Sequence, residues 1–171
     1  MAMPSKLKNM NLFNDGNSYL GVSKAVTLPK LSRKMEAYRG GGMNGPAKVD
    51  MGMGDDGIVL EWTLGGIDMT AVRQYASAEL GGVGMRFAGA YQRDDDGTVD
   101  AVEIVVRGRH EEIDMGEAKP GEDTEHKIKT NCSYYKLTVA GRVEVEIDVL
   151  NFIEIVNGVD RLAEHRRAIG L

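Results

Sequence analysis

Apolar and polar residues alternate with a period of two along much of this chain, the pattern of strands with one dry and one wet face. The clearest run is Val143–Ile155: Val143, Val145, Ile147, Val149, Ile153 and Ile155 fall on one face, and Glu144, Glu146, Asp148 and Glu154 on the other. Thr98–Met115 alternates similarly, with Val102, Ile104 and Val106 set against Glu103 and Arg107. Its predecessor, Val83–Arg93, is joined to it through "DDDG", and Asp96-Gly97 is a hairpin-turn signal. Further strands are predicted at Tyr19–Leu28, Leu31–Arg39, Ile58–Leu64 and Lys127–Val139.

Two helices interrupt the strands. Asp68 is placed to cap a helix running through Leu80, with Met69, Val72, Ala76 and Leu80 on one stripe and Gly81-Gly82 ending it. Asp160 is placed to cap a short helix over Arg161–Ile169, closed by Gly170. The polar stretch Gly116–Lys127 reads as a loop between two strands, and no repeat or linker divides the chain. The expectation is one mainly β domain over residues 1–171, a two-sheet β-barrel or sandwich with one flanking helix and a short C-terminal helix.

One strand length suggests assembly. As a single strand, Thr98–Met115 spans on the order of 60 Å at about 3.3 Å per residue. A compact domain of this size has a diameter of roughly 40 Å. Such a strand bends sharply or projects, and a projecting edge needs a partner to cover it.

Composition narrows the function. The 171 residues are 42% hydrophobic and 27% charged, which excludes wholesale disorder. A net charge of -5 argues against a surface built to grip phosphates, which needs excess Lys and Arg. The lone Cys132 excludes an internal disulfide and suits a reducing cytoplasm. No signal peptide is expected, because Pro4, Lys6, Lys8 and Asn11 break the N-terminus; no run of 18 apolar residues offers a membrane span.

Chemistry-bearing motifs fail on context. The scheme G-x-G-x-x-G occurs at Gly40–Gly45 and Gly52–Gly57, yet neither match opens a helix that could hold a pyrophosphate. Asp94, Asp96, Gly97 and Glu103 fall in register with a calcium loop, but Gln92 takes the first-ligand position and strands flank it, so a hairpin turn is expected. His110, His126 and His165 have no metal-ligand spacing. No catalytic, cofactor-binding or metal residues are expected.

Two segments then carry a resemblance. "LKNMNLFNDGNSYLG" (Leu7–Gly21) and "VTLPKLSRKMEAYRGGGMNGP" (Val26–Pro46) resemble the N-terminal part of the major tail tube proteins of contractile-tailed temperate phages, with the similar tubes of R-type bacteriocins. The resemblance continues through "LEWTLGG" (Leu60–Gly66) and "VNGVDRLAEHRRAIGL" (Val156–Leu171), so it covers the whole chain. It implies a non-enzymatic virion protein made in the host cytoplasm, with six-membered rings whose sheets join into one inner barrel. The rings stack into the tail tube, through which viral DNA passes without specific binding. Implied partners are further copies of the chain and the tail sheath, tape-measure, baseplate and tail terminator proteins, with no membrane and no cofactor. A tube component of a type VI secretion system or a bacteriocin particle, or a small monomeric β-barrel binding module, is the alternative.

Two surfaces become candidates. Arg39, Gly40, Gly41, Gly42, Met43 and Asn44 form a glycine-rich loop, either a subunit or ring contact or merely a flexible tip. Glu144, Glu146 and Asp148 form a regular acidic row, facing either the lumen, where it repels DNA, or the outside beneath a sheath.

Overall fold

A ten-stranded antiparallel sheet that forks along one of its own strands dominates the computed structural model, which describes residues 1–171. The first strands are β1 (Lys6–Asn14), β2 (Asn17–Ser18), β3 (Ser23–Thr27), β4 (Arg33–Tyr38), β5 (Ala47–Met53) and β6 (Ile58–Leu64). Helix α1 (Met69–Arg73) follows, then β7 (Val83–Gln92), β8 (Val99–Asp114) and β9 (His126–Val139). The chain ends in β10 (Arg142–Asp148), β11 (Ile153–Val156), β12 (Val159–Asp160) and α2 (Ala163–Ala168). The mainly β expectation holds: two sheets and two short helices.

The fork sits on β9. From Lys127 to Val139 one edge pairs with β8, while the other edge takes β6 along His126–Cys132 and β10 along Tyr134–Val139. At the fork the β8–β9 register slips, pairing Arg107 with Tyr134 but Gly108 with Cys132. Gly108 makes the slip possible: a Cβ there lies 1.9 Å from the Asn131 carbonyl oxygen. A second slip falls between His110 and Glu112. The long strand read from Thr98–Met115 is therefore real, and it bends at these irregularities, as bulged strands do.

The two limbs enclose one cluster of 15 buried apolar residues, including Leu12, Leu60, Trp62, Phe87, Val106 and Ile147. Trp62 is 1% exposed and stacks on Tyr19 with ring centroids 5.6 Å apart. Alternation explains which residues enter: Ile58, Leu60, Trp62 and Leu64 face in along β6, while Glu61 faces out.

Strands β4 and β5 stand apart. They pair only with each other, and every residue of β4 is exposed. This arm presents Met35, Tyr38, Val49 and Met51 to solvent. A lone two-stranded hairpin is marginal in water, so the arm has no core of its own. The alternation predicts β4 but not β5, nor β1, β2 and β12. In β5, Gly52 and Lys48 blur the alternation.

Four expectations are corrected. Val143–Ile155 is not one strand but the hairpin β10–β11, turned where Phe152 takes a φ of 54° and Asp148 Oδ1 accepts from the amides of Leu150 and Asn151. The turn reverses the later faces: Glu146 pairs with Ile155, Asp148 with Ile153, and Ile147 with Glu154. The helix from Asp68 does not reach Leu80; it stops at Arg73, and Ala76 adopts a φ of 61°. Asp68 does cap it, but the buried member is Ala71 rather than the predicted stripe. Asp160 does not cap α2 directly: its carboxylate accepts from the Leu162 amide at 3.1 Å and pairs with Arg166, one turn into the helix.

Candidate assembly surfaces

The most concentrated polar chemistry lies at the end of the body closed by α1, and its members bond chiefly to one another, although the buried Nε2 of His126 has no partner. Gln74 Nε2 donates to Asn14 Oδ1 at 2.8 Å and Asp15 Oδ2 at 2.7 Å, while its Oε1 accepts from Asn14 Nδ2 at 2.8 Å. Asn14 also donates to Tyr19, whose hydroxyl donates to Asp68 at 2.5 Å. His110 Nε2 lies 3.0 Å from Gln74 Oε1, and its Nδ1 lies 2.9 Å from Thr130 Oγ1. An amide oxygen only accepts, so Nε2 of the neutral ring carries the hydrogen and Nδ1 accepts from Thr130. Thr130 in turn accepts from Trp62 Nε1 at 3.1 Å.

Protonation in this cluster is locked rather than poised. Burial pulls His110 down to about 4, so it is neutral near pH 7. Burial and the bond to Asp68 push the Tyr19 hydroxyl up. Burial likewise pushes the Cys132 thiol up to about 12, removing its thiolate. His126 Nδ1 accepts from the Asp68 amide at 3.2 Å, and burial lowers its pKa too. The network clamps α1 over the barrel end and offers neither an activated nucleophile nor a poised base. The aspartate turn spends its groups on geometry: Asp96 Oδ1 accepts from the Thr98 amide, and Gln92 donates to the Gly97 carbonyl.

The candidate loop residues Arg39, Gly40, Gly41, Gly42, Met43 and Asn44 all lie at the tip of the arm. Met43 folds back so that its sulfur receives the Gly40 amide at 3.1 Å, and the Met43 amide returns to the Gly40 carbonyl at 3.2 Å. Gly42 needs its glycine, at φ 81°, whereas a Cβ on Gly41 meets nothing within 4 Å. The arm is pinned at its root. Arg33 Nε reaches Asp50 at 3.0 Å, and its Nη1 reaches both oxygens of Glu154 on β11 at 2.8 and 3.1 Å. A depression of about 710 Å³ lies beside this pin, lined in part by Met51, Phe152, Val156 and His165.

The acidic row is less regular than its sequence. A bulge between Val143 and Val145 puts Glu144 out of register, so Val143 pairs with Thr138 on the face of Lys136 and Tyr134 rather than on the core face. Glu146 and Asp148 do share that outward face, beside Ile153 and Ile155. Glu146 accepts from the Tyr134 hydroxyl at 3.1 Å. Asp148 is committed to the β10–β11 turn, where Oδ2 also accepts from Asn151 Nδ2 at 2.6 Å. Sequence reasoning missed the turn because Val149 and Ile153 keep the alternation going through it.

A forked β body carries an arm that pairs with no other strand. A family model for phage tail tube protein FII matches residues 4–170, and the chain belongs to that family. It is 59% identical over 172 residues to the tail tube protein of Escherichia phage P2, covering 100% of both chains. It is 40% identical over 153 residues to the major tail tube protein of Serratia phage KSP20, covering 90% of this chain and 88% of that one. In fold it is similar to a chain in the cryo-EM structure of the anti-feeding prophage baseplate, with a TM-score of 0.57 at 10% identity, covering 82% of this chain and 99% of the other. The chain is thus a tail tube protein of a contractile-tailed phage, a virion component and not an enzyme. No helix is long and apolar enough to cross a membrane.

Proposed function

We propose that this protein polymerises as stacked six-membered rings, forming the inner tube through which DNA leaves the phage. The observation that carries the reading is the arm: a hairpin exposing both faces and four large apolar side chains gains its packing from neighbours or not at all. Family membership supplies the tube, and the fold neighbour comes from a six-fold symmetrised assembly. Sheath, tape-measure, baseplate and terminator proteins are the partners such a tube meets.

Within that assembly, the arm tip from Arg39 to Asn44 is a contact between subunits. Gly41 is the discriminating position, because the free chain has open space for a side chain there. Gly41→Val leaves the monomer folded and blocks assembly, read by melting temperature and negative-stain microscopy; normal tubes from the variant overturn the contact. The wall reading assigns Glu144, Glu146 and Asp148 to the lumen. Because Asp148 caps a turn, Glu144→Lys with Glu146→Lys is the cleaner test: tubes form and DNA ejection slows. Ejection at the normal rate places the row outside. Persistent monomers of the wild type at high concentration, with tail initiator present, overturn the ring reading itself.

A further inference from the structure

The arm and the body carry opposite charge. Between Arg33 and Met53 the arm holds Arg33, Lys34, Arg39 and Lys48 against Glu36 and Asp50, a surplus of two positive charges in a chain of net charge -5. Much of the opposing charge lies in the connection from the end of β8 to β9: between Glu111 and Glu125 seven carboxylates face the single Lys119. Many of these charges are already paired within the chain. Arg33 is held by Asp50 and Glu154, Lys34 by Asp55, and Lys24 by Asp123 and Glu125. Lys119 pairs with Glu122, and Lys129 with Glu111.

Pairing leaves a specific remainder. On the arm the cations without a carboxylate partner are Arg39, at the tip, and Lys48, in β5. In the acidic connection the carboxylates in no direct ion pair are Glu112, Asp114 and Glu117; Glu112 and Asp114 stand across the ladder from Lys129 and Lys127, whose ammonium groups are held by Glu111 and Glu125. Lys48 and Glu117 are exposed, and so are Arg39, Glu112 and Asp114.

Their placement makes contact within one chain difficult. The arm leaves the body before Ile58, at the end of β6 that pairs with Cys132. The acidic connection enters β9 at His126, which pairs with Leu64 at the opposite end of β6. The two ends are about 20 Å apart at roughly 3.3 Å per residue; Asp114 and Glu117 lie toward the far one, and Glu112 stands about halfway, level with Glu61. A basic projection at one end of a body and an acidic surface at the other is the arrangement of a heterologous, head-to-tail contact, which repeats along an axis.

We propose that the arm of one copy docks on the β8–β9 connection of a copy in the adjacent ring, with Arg39 and Lys48 facing Glu112, Asp114 and Glu117. The inference rests on the ring-stacking reading and gives its contact a partner surface and a chemistry. Ion pairs at an exposed contact fix register and speed association, and they weaken as salt shortens the screening length from about 10 Å at 0.1 M toward about 3 Å at 1 M.

A charge swap tests it. Purified wild type, Arg39→Glu with Lys48→Glu, Glu112→Lys with Glu117→Lys, and the four-fold combination are each followed by sedimentation and negative-stain microscopy across 50–1,000 mM salt. The expected result is a loss of stacked tubes of at least tenfold in each two-site variant, with restoration in the combination. Wild-type assembly is expected to fall as salt rises. All substituted side chains are exposed, and unchanged melting temperatures verify the folds; an alanine pair at Arg39 and Lys48 serves if a reversed variant melts early. Arm variants that stack like wild type overturn the docking while leaving the ring reading intact, and so does a combination no better than its parents. Arm variants that form normal tubes but fail to bind sheath assign the arm to that other protein. A wild type that never forms rings removes the ring reading, and this inference with it.

Discussion

The arm and the Trp62 side of the body are both antiparallel β structure, yet they are stable for different reasons. Trp62 is 1% exposed, stacks on Tyr19, and has its indole N–H satisfied by Thr130. Tyr38 on the arm is 61% exposed and packs against no core. The body therefore keeps its shape through burial, which amounts to roughly 25 cal/mol per Å² of apolar area. The arm relies on its own ladder and on one ionic pin at its root. That contrast separates folding from assembly: damage to the body costs stability, and damage to the arm costs association.

The largest effect belongs to the body. Trp62→Ala opens a cavity under Tyr19 and deprives Thr130 of a donor, so a loss of about 3–5 kcal/mol is expected in urea unfolding. The arm changes nothing in that measurement. If Trp62→Ala melted near the wild type, the core would not be where the stability lies.

Next comes pH, again confined to the body. His110 titrates near 6.5 when unfolded, and burial lowers it to about 4 in the fold. The unfolded chain thus binds a proton that the folded chain refuses between those values. The stabilising contribution is complete above pH 6.5 and is lost as pH falls toward 4, by roughly 1.4 kcal/mol per pH unit and about 3 kcal/mol in all. His126, also lowered by burial, acts in the same direction. His110→Gln removes one titrating group, so its unfolding free energy is expected to fall less steeply over this range than that of the wild type. Parallel pH profiles for the two proteins contradict the assignment.

Smaller still, in stability, is excision of the arm. Replacing residues 34–52 with a short Gly-Ser turn removes no member of the buried cluster. The body is expected to unfold within about 1 kcal/mol of wild type, because loop-length changes alter closure entropy only slowly. Tubes are expected to vanish. A body that unfolds several kcal/mol earlier would show that the arm is part of the fold after all.

How legible this was in the sequence follows the same division. Ile58–Leu64 was readable to the residue because both neighbours on its sheet enforce alternation and one face is fully buried. The arm was half readable: β4 passed as a strand, but β5 is exposed along Ala47–Met51 and meets the core only at Met53, so burial did not select its pattern. The helix from Asp68 was overcalled because Val72 and Leu80 suggested a stripe, whereas the Gln74 side chain is drawn into bonds with Asn14, Asp15 and His110. Those three partners are distant in sequence, and no local pattern encodes them. The acidic row was readable as charge but not as geometry. A bulge at Glu144 and a turn held by Asp148 both preserve apparent alternation while changing which face each residue occupies.

That change of face has its own consequence at Glu154. Sequence alternation set Glu154 beside Glu146 on the outer face; the turn instead pairs it with Ile147, on the core side of β11. From there it meets Arg33 at the root of the arm, with only 19% of its side chain exposed. Glu154→Gln keeps a hydrogen-bond acceptor but removes the charge, and Arg33 retains Asp50. Partly exposed ion pairs contribute about 0–1 kcal/mol, so unfolding of the body is expected to shift by no more than that. The orientation of the arm is a different matter, since no other side-chain ion pair joins β4 or β5 to β11. Spin labels at Asn44→Cys and Glu79→Cys report the arm-to-body distance, and the suppressed reactivity of Cys132 keeps labelling specific. The expected outcome is a broader distance distribution in Glu154→Gln at unchanged melting temperature. An equally narrow distribution would mean that the root of the hairpin, closed by the Gly54 amide donating to the Ser32 carbonyl at 2.9 Å, holds the arm without the pin.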